Sequence, residues 1–278
     1  MKKRYLFNKV AILGTGLIGG SLAVDIKADG LARTITGACR SNVTLNKIKA
    51  LRIFDEVTRD AAKAVEDADL VILATPVRAI IELAEKVSPY LKRGSIVMDV
   101  GSTKQEICRR VSAALPAGVS FVGCHPMAGS EKSGFSNARR GLFKDTMCFV
   151  VGKSFASAKA NLLWKRLGAD VVTLSAGEHD DIVAAISHLP HIAAAALVNS
   201  VPKKALKFAS GGFKDTTRIA SSSAELWNDI FMNNKVFVSK YLDRFISELK
   251  AVKDDIKRDG TGLRGRLERA SRLRKSVA

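Results

Sequence analysis

The stretch KVAIL at residues 9–13, running directly into GTGLIG at residues 14–19, decides the fold of this chain. A short, mostly aliphatic run without polar alternation predicts a strand covered on both faces. The glycines that follow have separate mechanical tasks. Gly14 turns tightly, Gly16 lets the backbone approach a pyrophosphate, and Gly19 lets a helix pack close to the strand. The helix opening at Leu17 and Ile18 and running to about residue 28 offers unpaired N–H groups and a positive partial charge to phosphate. A lone glycine fingerprint is weak; a strand before it and a helix after it make it a dinucleotide site.

The same alternation continues outward. Strands are expected at residues 34–38, 69–74, 95–100, 120–124, 148–151 and 171–174, with helices at 45–51, 80–91 and 104–115. Apolar strands separated by helices predict a doubly wound parallel sheet of the Rossmann type. From Ser175 onward the pattern is helical only: an Ala-rich segment at 178–201, a long amphipathic stretch at 226–257, and a short basic helix after Asp259-Gly-Thr-Gly262. Two domains follow, a dinucleotide-binding domain at 1–174 and a helical substrate and dimerisation domain at 175–278. So small an α domain with long apolar faces is expected to complete its core in a homodimer.

The second strand ends in Gly37-Ala-Cys39-Arg40-Ser41, where NAD enzymes usually carry an acidic residue for the ribose 2′-OH. Its absence removes repulsion toward a 2′-phosphate, and Arg40 can pair with one, so NADP is favoured. If Arg40 instead stacks on adenine, NAD serves equally. Gly14, Gly16, Leu17, Ile18, Gly19, Arg40, Ser41 and Thr75, which closes the third strand, form the expected cofactor set.

With 45 basic and 27 acidic residues in 278, the net charge is +18. That excess suits acidic small ligands. The densest basic run, residues 250–275, reads as a solvated helix face rather than a nucleic-acid surface, and aromatics at 6% are too few for a stacking platform. Four cysteines without CxxC spacing read as reduced thiols in a cytoplasmic protein. No apolar stretch was expected to reach the ~20 residues of a membrane span.

Polar clusters fall where the strands end: DVGSTK at 99–104 and HPMAGSEKSG at 125–134. The helical half adds SHLPH at 187–191 and FKDTTRIA at 213–220, with Trp227 close behind. Together with GLIGGS at 16–21, in this order, they resemble the prephenate/arogenate dehydrogenase family, from about Val10 to Asp229. The resemblance implies oxidative decarboxylation of a cyclohexadienol: hydride leaves the carbinol carbon for nicotinamide and the ring carboxylate departs as CO2. His125 would be the base, an imidazole having a suitable pKa near neutrality. Ser102 would bond the histidine or the substrate hydroxyl, or else cap the helix at Lys104.

Arg218 would clamp a carboxylate through paired hydrogen bonds. His191, Ser130, Glu131 and Lys214 would complete the substrate site. His188 joins them, or is a satisfied interface histidine. Pro190 between the two histidines breaks helix regularity, since it lacks the N–H that would bond Ile186. His179 reads as structural, and no metal is expected, because His188 and His191 lack a third ligand at a recognisable spacing. A β-hydroxyacid dehydrogenase with the same two-part plan is the alternative enzyme, and a non-enzymatic NADP-binding sensor the alternative of another class.

Overall fold

The computed structural model describes residues 5–50, 52–128, 134–258 and 260–277. Its first half alternates β1 (Phe7–Leu13), α1 (Leu17–Ala28), β2 (Ala32–Ala38), α2 (Asn42–Ala50), β3 (Glu56–Thr58), α3 (Ala61–Val65), β4 (Leu70–Leu73) and α4 (Val77–Val87). It continues through β5 (Ile96–Asp99), α5 (Gln105–Ala114), β6 (Ser120–Pro126), β7 (Met147–Val151), α6 (Phe155–Arg166) and β8 (Asp170–Leu174). The strands form one sheet in the order β3-β2-β1-β4-β5-β6-β7-β8. Val10 of β1 pairs with Ile35 on one side and Leu70 on the other. The strand order therefore reverses between β1 and β4, where a doubly wound sheet opens a crevice at the carboxyl ends of its strands.

Both faces of the sheet are covered, which is why its strands lack polar alternation. Val10, Ile12 and Ile72 join one apolar cluster with Leu22 and Ile26 of α1 and Leu163 and Trp164 of α6. Ala11, Leu13 and Val71 join the other with Ile80 and Ile81 of α4 and Ile107 and Val111 of α5.

The sheet departs from the sequence expectation in one pairing and gains one strand. The sheet is not wholly parallel, because β7 runs antiparallel to β6, with Cys124 opposite Val150. A parallel return needs a crossover element, and the described residues between β6 and β7 hold only a 3-10 turn, Phe135–Asn137. α6 supplies such a crossover between β7 and β8, which are parallel. The strand β3 was not foreseen; with only Glu56, Val57 and Thr58, it has no apolar run to detect.

The second half is helical: α7 (Ala176–Val183), a π-turn (Ala184–His188), α8 (Leu189–Ser200), α9 (Lys203–Leu206), α10 (Gly211–Thr217), a 3-10 turn (Arg218–Ser221), α11 (Ala224–Asn233), α12 (Lys235–Arg258) and α13 (Thr261–Lys275). The irregularity expected at Pro190 takes the form of the π-turn. Residues Ala176–Ser200 form one helix that is, by length and composition, apolar enough to cross a membrane, which corrects the sequence reading. Its residues His179, Asp180 and His188 are nevertheless buried. Ile230 of α11 sits in the apolar cluster of α4 and α5, with Trp227 and Phe231 against it, so the helical half docks on that side of the sheet.

Candidate active site

At the reversal point the crevice of about 540 Å³ is lined by Gly14, Thr15, Gly16, Cys39, Arg40, Ser41, Thr75 and Pro76, among others. Two glycines of this turn are required. A Cβ on Gly14, at φ +102°, would stand 2.4 Å from the Ala74 carbonyl oxygen, and one on Gly19 would stand 2.0 Å from that of Gly14. A Cβ on Gly16 would meet nothing within 4 Å, so this backbone faces open space. Gly16 precedes α1 without a side-chain cap, leaving the first N–H groups of the helix for an anion. Thr75 Oγ1 is buried in the same wall without a hydrogen-bond partner. These features fit a dinucleotide pyrophosphate. Arg59, which the sequence did not single out, also lines the crevice and donates from Nε to the Arg40 carbonyl at 3.1 Å.

His125 stands at the end of β6, two strands beyond the crevice wall. Its Nδ1 lies 2.9 Å from Nε2 of His179, and Nδ1 of His179 lies 2.7 Å from Oδ1 of Asp180. His179, read from the sequence as structural, therefore bonds the candidate base directly. Burial, reinforced by the neighbouring His179, Lys104 and His188, holds the His125 imidazole well below the usual histidine value. Burial likewise lowers His179, against the opposing pull of Asp180.

Ser102 lies half-buried between Asp99 and Lys104, which form a fully buried ion pair, and Asp99 Oδ2 also accepts the Gly101 N–H at 2.8 Å. The loop is thereby pinned at both ends. Ser102 does not cap α5. That helix is capped from the other half of the molecule, by Asp180, whose Oδ1 accepts the Lys104 N–H at 2.7 Å and Oδ2 the Gln105 N–H at 2.9 Å. Asp229 does the same for α4, accepting the Arg78 N–H at 3.0 Å. Two aspartates of the helical half thus clasp two helix N-termini along the carboxyl edge of the sheet.

His191 is half-buried and stacks on Trp227, with ring centroids 3.5 Å apart. Burial lowers its pKa, as does Arg218, while a bond with the Ile219 backbone raises it. His191 and Arg218 are thus neighbours. Lys214 and Arg218 are both exposed, four residues apart along α10 and the turn after it. His188 is different. It is 1% exposed, its Nδ1 lies 3.2 Å from Asn234 Nδ2, and its ring meets Trp227 and Phe231 edge-on. This placement is the one expected of a satisfied interface histidine. Ser130 and Glu131 lie outside the described residues.

The prephenate dehydrogenase nucleotide-binding domain model matches residues 22–173, and the prephenate dehydrogenase dimerization domain model matches residues 175–269. The chain belongs to the prephenate dehydrogenase family. It is 34% identical to a cyclohexadienyl dehydrogenase of Zymomonas mobilis, over 90% of this chain and 89% of that one. It is 35% identical to a prephenate dehydrogenase of Bacillus subtilis, over 90% and 70%. The solved structure of the prephenate dehydrogenase from A. aeolicus in complex with hydroxyphenyl propionate and NAD+ superposes with a TM-score of 0.90 at 31% identity, covering 98% of each chain. Membership makes this chain an NAD(P)-using oxidoreductase of the prephenate and arogenate dehydrogenase class, which serves tyrosine biosynthesis. The prephenate dehydrogenase motifs recognised in the sequence were contiguous ones. His179, Asp180 and Asn234 were missed because their partners lie 46 to 76 residues away.

Proposed function

We propose that this chain oxidises and decarboxylates prephenate or arogenate in the cleft between a dinucleotide domain, residues 1–174, and a helical domain, residues 175–278. The observation that carries the reading is His125, half-buried at the carboxyl end of β6 with its Nδ1 engaged by His179. The nicotinamide of the bound dinucleotide supplies the hydride acceptor. His125 Nε2 takes the proton of the ring 4-hydroxyl as the carbinol carbon becomes a carbonyl. The C–C bond to the ring carboxylate then breaks, its electron pair aromatises the ring, and CO2 leaves. Ser102 orients the hydroxyl or the imidazole. Arg218 and Lys214 hold the carboxylate of the side chain, His191 is kept in place by its stack on Trp227, and Ser130 and Glu131 have a part in binding substrate.

NADP is the favoured dinucleotide. Arg40, Ser41 and Arg59 line the crevice beyond β2, a basic setting suited to a 2′-phosphate. The functional unit is a homodimer in the cytoplasm. Large apolar side chains stand exposed along the helical half, among them Ile186 at 60%, Val236 at 71% and Ile256 at 63%, the face a second subunit would cover. A rate matrix of prephenate and arogenate against NAD and NADP tests the reading; turnover of simple 3-hydroxy acids instead would overturn it.

A further inference from the structure

We propose that His179 and Asp180 are positioning residues that fix the tautomer of His125, so that its Nδ1 carries the proton and its Nε2 is the free base. The inference rests on His125 being the base, and it follows from counting donors along the chain. A carboxylate only accepts. Asp180, 0% exposed, already accepts the Lys104 and Gln105 N–H groups, so the proton in its 2.7 Å contact with His179 belongs to His179 Nδ1. A neutral imidazole holds one proton, so His179 Nε2 is left as an acceptor. The 2.9 Å contact to His125 is therefore filled by His125 Nδ1–H. Nε2 of His125, freed of its proton, is the atom that can take one from substrate.

The surroundings support this direction. The ring of His179 is fully buried and lies edge-on to both His125 and Phe149, at 5.1 and 5.3 Å, so it cannot rotate to offer its other nitrogen. The capping box of Ser175 and Glu178 sets the start of α7. Asn234 Nδ2 donates to the Asp180 carbonyl at 2.8 Å, fixing α7 from the side of α12. Among the described residues, the charged or titratable groups facing His125 are His179, Lys104 and His188; those facing His179 are Asp180, Lys104 and Asp99. When His125 accepts a proton, the chain places an oriented carboxylate behind the new charge. No proton needs to reach Asp180.

Free neutral histidine prefers the opposite tautomer, with the proton on Nε2, so the claim is testable on the unaltered protein. Histidine labelled with 15N should show His125, assigned through the spectrum of His125→Asn, protonated at Nδ1 and unprotonated at Nε2 above pH 7. The reverse assignment overturns the proposal. In Asp180→Asn the new amide can donate to His179, which then donates to His125 and inverts its tautomer. The expected loss in kcat is on the order of 10³–10⁴, with KM little changed and dinucleotide binding retained. Because Asp180→Asn also disturbs the cap of α5, His179→Gln is measured beside it. Its amide oxygen can still accept from His125 without Asp180, so a smaller loss and a shifted acid limb are expected. If both variants keep wild-type kcat and pH profile while His125→Asn is inactive, the chain is structural only and the proposal fails alone. If His125→Asn is itself active, the reading of His125 as base fails.

Discussion

A depressed histidine works as a base at lower pH than a free one does, and His125 is held well below the ordinary value by its packing. The group must be neutral to act, so activity should be full above its pKa and fall only on acidification through it. The acid limb of kcat/KM is expected below pH 6.5, the ordinary histidine value; a limb at 7 or higher, with no other group assigned to it, would contradict this. His125→Asn should retain dinucleotide binding and lose at least about 100-fold in kcat, read by steady-state rates beside a binding titration. Arg40→Glu places a carboxylate where the 2′-phosphate is expected. It should raise KM for NADP by about tenfold or more while sparing NAD, and an unchanged preference would remove Arg40 from that role.

Single elements carry the site because their ends meet. The π-turn Ala184–His188 and Pro190 bring His188 inward onto Asn234 and leave His191 against Trp227. Asn234, 4% exposed at the break between α11 and α12, binds both Asp180 and His188. Asn234→Ala removes the partner of the buried His188 Nδ1 and one of two donors to the Asp180 carbonyl, which keeps the Ala184 N–H; it should cost about 1–3 kcal/mol, measurable as a shifted denaturant midpoint. Gly19→Val should abolish dinucleotide binding, since even a Cβ there collides with the Gly14 carbonyl. Most elements were legible in the sequence, because α1, β1 and their like write their burial into local apolar patterns. β3 and the antiparallel direction of β7 were not. The first has no apolar run, and the direction of the second is set by its pairing with β6, which local residue chemistry does not record.

Across the whole molecule, stability is tied to buried neutral histidines. Burial lowers His188 to about 4 from 6.5. The unfolded chain binds a proton more readily than the native one between those values, so stability is full above about 6.5 and is lost as pH falls toward 4. The contribution is about 3 kcal/mol; thermal melts across that window should show it, and His188→Gln should flatten it. The exposed apolar face is the other feature of this scale. Leu249, 52% exposed on α12, should be covered in the dimer. Leu249→Glu should drive the protein toward monomer in light scattering, and an unchanged mass would place the interface elsewhere.

Sequence alone determined what short-range chemistry can write. The glycine turn, the covered strands, the helical second half and the family motifs each depend on residues within a few positions of one another. Tertiary structure decided which nitrogen of His125 is free, that Asp180 rather than Ser102 caps α5, and that His188 is sealed while His191 is not. Those outcomes depend on groups brought together from distant parts of the chain, and hydrogen-bond direction is set by the partner that arrives, not by the residue that waits for it.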